Sequence, residues 1–325
     1  MRTSLPVVLL VILFAGAALA TADLRRAEQV TIVVYTTPAL KDLLEKDVIP
    51  RYQNATGERV EPVYVAAGEE YNRLRLSGAS PEADVFLHAS PLYLEKGYSE
   101  GHFLPVNLSG AQGIDATFQG APVDGGRAWY AFAWSPLLEV YSPRLGQAPD
   151  LATADVKFGL AHPLLSNNGV YNVLFYETLD PAAGRFALAR TAVQPTDSRS
   201  TINGIADGSF DLTLGYEAVT LLYQAKGAKV ATALPILHGE PRLVPVLFSA
   251  ALVAHHHNRD AERFIAFLFT HETQSRLGKS YFRSVEPGFP APAGGANLTG
   301  LAPVTYDWSQ WRDLEAKLPD YEVQT

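Results

Sequence analysis

Three short segments in the first third of the sequence stand where an apolar run gives way to a helical pattern: Tyr35-Thr36-Thr37, Ala67-Gly68-Glu69 and His88-Ala89-Ser90. Three more follow in the middle: Ser166-Asn167-Asn168-Gly169 with Tyr171, Ser200-Thr201, and Tyr216-Glu217. Junctions of this kind expose unpaired backbone N–H groups at the positive end of a helix dipole. They hold an anion or a polar small molecule without nucleophile or acid–base machinery. The candidate ligand contacts are therefore Tyr35, Thr36, Thr37, Gly68, His88, Ser90, Ser166, Asn168, Tyr171, Thr201, Tyr216 and Glu217. Thr37 serves equally as a plain helix cap, and for Ser200 and Thr201 capping is the favoured role. Glu69 and Glu70 repel an anion unless they point away.

Other chemistry is weaker in context. Gly97-Tyr98-Ser99-Glu100-Gly101 has the spacing of a nucleophile elbow, which requires its serine on a sharp strand-to-helix turn. Here Pro91 to Lys96 has a helical pattern and Pro105 follows as loop, so a secreted serine hydrolase using Ser99 is the rival from another class. His255-His256-His257 falls between a strand and a helix and is expected as an exposed loop, not a metal site. His271-Glu272 lacks the second histidine of a zinc-protease helix, and no glycine-rich phosphate loop with Lys-Ser/Thr occurs. The 325 residues contain no cysteine, which excludes disulfides, thiolate metal sites, cysteine nucleophiles and a lipidated cysteine anchor. No catalytic residue, resident metal or cofactor is expected.

The elements that must position these segments are legible in outline. Val30 to Tyr35 is a near-continuous β-branched run, suited to a parallel strand buried on both faces. Thr37-Pro38 then opens a helix with Leu40, Leu43, Leu44 and Val48 at helical spacing. Val60 to Ala66, a turn at Ala67-Gly68 and a helix over Glu69 to Leu76 repeat the unit, and Asp84 to Leu87 begins a third. Such units indicate a doubly wound α/β sheet, whose ligands bind beyond the carboxyl ends of the strands. Trp129 to Pro136 is expected as a long strand, with Leu137 to Pro143 leading away from it. A second set then opens: a strand over Val156 to Leu160, a helix over Val170 to Thr178, a short helix capped by Ser200-Thr201, and a strand over Phe210 to Leu214. Val244 to Ala254 is a final strand before an amphipathic helix. The length also fits about two domains.

Met1-Arg2, the uncharged run Leu5 to Ala20 and the triplet Ala18-Leu19-Ala20 form a signal peptide cleaved after Ala20. A retained anchor is the alternative, though the run falls short of the roughly 18–20 residues that span a bilayer. The formal charge of −8, from 26 Lys+Arg and 34 Asp+Glu, comes without a basic block, so nucleic acid is excluded as a partner. Asn54, Asn107 and Asn297 head glycosylation sequons that chance accounts for in a chain of this length.

The order of these signals resembles a known family. Tyr35-Thr36-Thr37 before a helix, Gly78 to Phe86 (GASPEADVF), Trp129 to Ser135, Ala206 to Asp211 (ADGSFD), Gly227 to Val230 (GAKV) and Asp260 to Leu268 (DAERFIAFL) are similar to the exported substrate-binding proteins of ABC importers. Within them the chain is most similar to the branch that includes ferric-ion, oxyanion, phosphonate and thiamine binders. The resemblance runs from about Val30 to Gly288. It implies two doubly wound α/β lobes joined by a two-strand hinge, a periplasmic binding protein-like clamp that closes on ligand. Residues 24–137 and 243–325 would form lobe one and residues 138–242 lobe two, with the tail of Trp308, Trp311 and Tyr321 wrapping the outside as packing anchors. It implies a monomer in the periplasm or at the cell surface, a small-molecule or ion ligand, and an ABC permease as partner. The ferric branch uses adjacent tyrosines with a histidine and a glutamate. Here Glu217 follows Tyr216 and Ala39 stands where the histidine falls, so an oxyanion or phosphonate is favoured over iron. A tyrosine-rich iron site using Tyr35, Tyr216 and His88 stays open.

Overall fold

A computed structural model describes residues 31–108, 113–254 and 259–323. The leader over residues 1–20 and the tract His255-His256-His257 lie outside the described residues. β1 (Thr31–Thr36) pairs in parallel with β2 (Arg59–Tyr64) on one side and β3 (Val85–His88) on the other. The helices that follow the last two strands are α1 (Ala67–Ser77) and α2 (Pro91–Ser99). This is the repeated strand-to-helix unit that β-branched runs and Pro-opened helices dictate. Ala67 and Gly68 form the first turn of α1 and not a turn ahead of it.

The architecture turns on one strand. β4 runs Tyr130–Tyr141, well past the point where Leu137 to Pro143 was expected to leave. Its first half pairs antiparallel with β6 (Pro245–Val253) and with Arg283–Ser284. Its second half, from Leu137, pairs antiparallel with β5 (Leu212–Tyr216) and with Ala231–Ala233. The expected departure fails because Leu137, Leu138 and Val140 bury their side chains in the second lobe, and that pattern continues a strand as well as it starts a loop. β6 then lies between β4 and β3, giving the first sheet the order Arg283–Ser284, β4, β6, β3, β1, β2. All nine residues of β6 are buried, so its apolar run needs no alternation.

In the second lobe α3 (Asn167–Leu179), α4 (Ser198–Asp207) and α5 (Glu217–Ala225) surround β5. Residues 156–160 do not form the expected strand. Phe158 makes single parallel bridges to Thr191 and Leu212, and Gly159 packs flat on the Phe210 ring. α4 is capped by Asp197, which accepts from the N–H groups of Arg199 and Ser200, and not by Ser200-Thr201. Ser99 closes α2, its hydroxyl donating to Lys96 O at 2.8 Å; this is helix, not an elbow. Asn54, Asn107 and Asn297 are exposed.

The C-terminal segment with α6 (Trp311–Lys317) straps both lobes. Lys96 on α2 meets Glu315 at 2.6 Å. The Tyr321 hydroxyl donates to Glu177 on α3 at 2.8 Å, and Gln194 donates to Tyr321 O at 2.7 Å. Trp311 and Tyr321 are buried anchors. Among the described residues no helix is long and apolar enough to cross a membrane.

Candidate ligand cleft between the lobes

The residues preceding five helical segments converge on one small cleft. Thr37 precedes the 3-10 turn Pro38–Leu40, Ala66 precedes α1, Ser166 precedes α3, Asp197 precedes α4 and Tyr216 precedes α5. All five line it, with Asn167, Asn168, Thr196 and Ser198 between them. The first two come from the first sheet's strand ends and the others from the second lobe. Ser166 and Asp197 cap their helices with side-chain oxygens, whereas Thr37, Ala66 and Tyr216 make no side-chain cap bond. The space left is about 20 Å³, room for one water-sized body. The lobes are thus closed on each other. A Cβ built on Gly68 would overlap the backbone carbonyl of Leu164 across the gap, so glycine is what permits this approach.

The cleft is rich in buried polar atoms without partners. Both polar atoms of the Asn167 amide, Asn168 Oδ1 and the Tyr216 hydroxyl have none. Asn168 is otherwise held by its Nδ2, which donates to Leu214 O at 2.6 Å. In native interiors nearly all buried polar groups are paired, so a cluster of orphans marks a place that expects an occupant.

A second group lies behind α1. Glu70 and His88 are fully buried with Glu70 Oε2 and His88 Nε2 3.9 Å apart, and neither atom has a hydrogen bond. Burial drives the Glu70 carboxyl well above its ordinary range and lowers the His88 imidazole to about 4. Burial thus disfavours the charged form of both groups, and their contact carries no hydrogen bond. His88 Nδ1 accepts from Ser90 N at 3.0 Å, while the hydroxyls of Thr36, Ser90 and Ser249 remain unpartnered.

The expected contacts thus divide. Thr37, Ser166, Asn168 and Tyr216 line the cleft, and Gly68 touches the opposite lobe beside it. Thr36, His88 and Ser90 belong to the buried group behind α1. Tyr35 donates to Glu82 at 3.0 Å, and the Thr201 hydroxyl donates to Asp197 O at 2.8 Å. Glu217 is turned away: its carboxylate accepts from Arg283 at 2.8 and 3.0 Å and from Ala296 N at 2.6 Å. Tyr171 reaches the hinge, where its oxygen accepts from Leu247 N at 2.8 Å. Sequence reasoning named Asn167 only as part of its turn and missed Ala66, Thr196, Asp197 and Ser198. Asp197-Ser198-Arg199-Ser200, an N-cap acid with a hydroxyl three residues on, was a legible signal for Asp197. Among the described residues no group of three or more His, Asp or Glu is placed to hold a metal.

Residues 32–283 match the family model for bacterial extracellular solute-binding proteins, and the chain belongs to that family. Its fold is shared with several solved periplasmic binding proteins. AfuA from Actinobacillus pleuropneumoniae, with fructose-6-phosphate bound, superposes with a TM-score of 0.75 at 14% identity, covering 89% of this chain and 96% of that one. Iron-bound HitA from Pseudomonas aeruginosa gives 0.74 at 18% identity, over 90% and 100%. A periplasmic thiamin binding protein gives 0.72 at 18%, over 90% and 95%. At these identities the likeness is one of fold. No match is found among curated proteins.

Proposed function

We propose that the protein is the substrate-binding component of an ABC importer, capturing a small oxyanion or phosphonate-type ligand between its lobes and delivering it to a membrane permease. The observation that carries this reading is the convergence of five helical N-termini on one cleft, three of them without a side-chain cap. Uncapped N–H groups and aligned dipoles favour negative charge. Lobe one comprises residues 24–137 and 243–325, and lobe two residues 138–242. Ligand contacts are Thr37, Ser166, Asn167, Asn168, Ser198 and Tyr216. Binding shifts the open–closed equilibrium by the ligand's differential affinity for the closed form, which the permease then recognises. The reading requires no bond to be made or broken.

Ferric iron is the second reading, favoured by the unpartnered Tyr216 phenol and by Asp197 in the same cleft. Against it, Glu217 is committed to Arg283. A thermal-shift series over phosphate, sulfate, phosphonates, sugar phosphates, thiamine and ferric salts separates the readings, because a ligand that binds only the folded state raises Tm. An oxyanion shift is expected. Ferric salts alone raising Tm, with a coloured sample, would replace the anion reading by the iron one.

A further inference from the structure

A cavity much roomier than the cleft lies elsewhere in the described chain. About 290 Å³ of space lies on the hinge side, between α2, the start of β4, α3, the returning segment at Val244–Leu247 and the strap. Its walls are aromatic: Trp129, Tyr171, Tyr306 and Trp308. Tyr171 meets Trp308 at 74° with centroids 6.1 Å apart, and Tyr306 meets Trp308 at 68° and 5.1 Å. Successive rings near right angles make a corner, not a stack. Glu95 and Asp307 stand among them. Trp129 Nε1 donates to Glu95 Oε1 at 2.7 Å, which fixes both side chains. Burial raises the Glu95 carboxyl, and the nearby Asp307 charge raises it further.

We propose that this cavity is a second ligand site, taking a small compound that carries a methylated ammonium group. Trp129 and Tyr171 are fully buried and form the back of the corner, so Tyr306 and Trp308 are the rings a cation can reach, with two carboxylates supplying the opposing charge. A cation beside Glu95 relieves the repulsion from Asp307. The volume lies near the lower end of the range for small-molecule sites. Arg127 also lines the cavity, its guanidinium donating to Gly120 O at 2.9 Å, and offers a place for a carboxylate at the other end of a zwitterion. Because the walls come from both lobes and the strap, an occupant here bears directly on hinge motion. This site is separate from the cleft and does not rest on the function proposed for it.

The test is titration of the full chain with choline and with glycine betaine, read by tryptophan fluorescence and calorimetry against a sodium chloride control. Saturable binding is expected for at least one of them. Trp308→Ala should weaken it roughly three- to thirty-fold, the range of a cation–π contact, while Trp308→Phe retains most of the affinity. Glu95→Gln, which keeps an acceptor for Trp129, should also weaken it. Tighter binding of betaine than of choline supports the Arg127 contact. No saturable response at millimolar ligand overturns the proposal. So does a response kept in both Trp308→Ala and Glu95→Gln, or one lost in Asn168→Ala but kept in Trp308→Ala, which would locate it in the cleft.

Discussion

Tyr171 and Tyr216 meet edge to face with ring centroids 6.3 Å apart, both fully buried, and they differ in what their hydroxyls do. Tyr171 takes the N–H of Leu247 on the hinge strand; Tyr216, on the cleft side, has no partner. The same contrast runs through their surroundings. On the cleft side Asn167, Asn168, Thr36, Ser90 and His88 keep buried polar atoms open. On the hinge side Ser135 accepts from Ala218 N, and Gln274 donates to the carbonyls of Phe132 and Leu268. An unsatisfied buried group costs about 1–3 kcal/mol. Orphans also occur elsewhere, at Glu139, Tyr176 and Arg242, but those gathered at the cleft stand where a ligand can relieve their cost.

That contrast can be broken most severely at the closure itself. Gly68→Val should prevent the lobes from reaching this spacing and weaken cleft ligand binding by more than about a hundredfold, roughly 3 kcal/mol, with Tm of the unliganded protein little changed. Calorimetry with scattering reads both, and unchanged affinity would show that the Leu164 contact does not gate closure. Next is the acid side. His88, neutral when folded with its value near 4 and ordinarily near 6.5, contributes stability that is complete above about pH 6.5 and is lost as pH falls towards 4. The loss should be about 3 kcal/mol and should be missing in His88→Asn; parallel pH profiles would show that the imidazole is not held neutral. The smallest effect tests the two tyrosines directly. Tyr171→Phe should cost about 1–3 kcal/mol by orphaning Leu247 N, whereas Tyr216→Phe should leave stability unchanged or raised and weaken only ligand binding. Equal losses in urea unfolding would erase the distinction between the two sides.

The first lobe was legible because β1, β2 and β3 are each followed by a turn and a helix start. The cleft was legible to the same degree, since N-caps announce themselves in sequence: Thr37 and Ser166 do so by residue type. Ala66 does not, because alanine carries no capping group that could mark a helix start. Glu217 and Tyr171 were placed near the right junctions, but side-chain direction was not readable. Arg283, Glu217's partner, stands far along the chain, and Leu247 N, which Tyr171 serves, carries no residue-type signal at all. The extension of β4 was hidden for a related reason: whether Leu137 to Tyr141 continues a strand depends on β5, which only the folded chain brings alongside.

β6 also has a consequence for the order in which the molecule can be made. It fills the slot between β3 and β4, yet it is synthesised after the whole of the second lobe. Until it emerges, β3 keeps an open edge and the first sheet lacks its most completely buried strand. Pairings of such long sequence separation form slowly, because the loop they close is costly to close. The nascent chain therefore stays incompletely folded for most of its synthesis, with an unpaired edge that invites wrong partners. For a member of an extracellular family the same delay is compatible with passage through a channel that accepts unfolded chains.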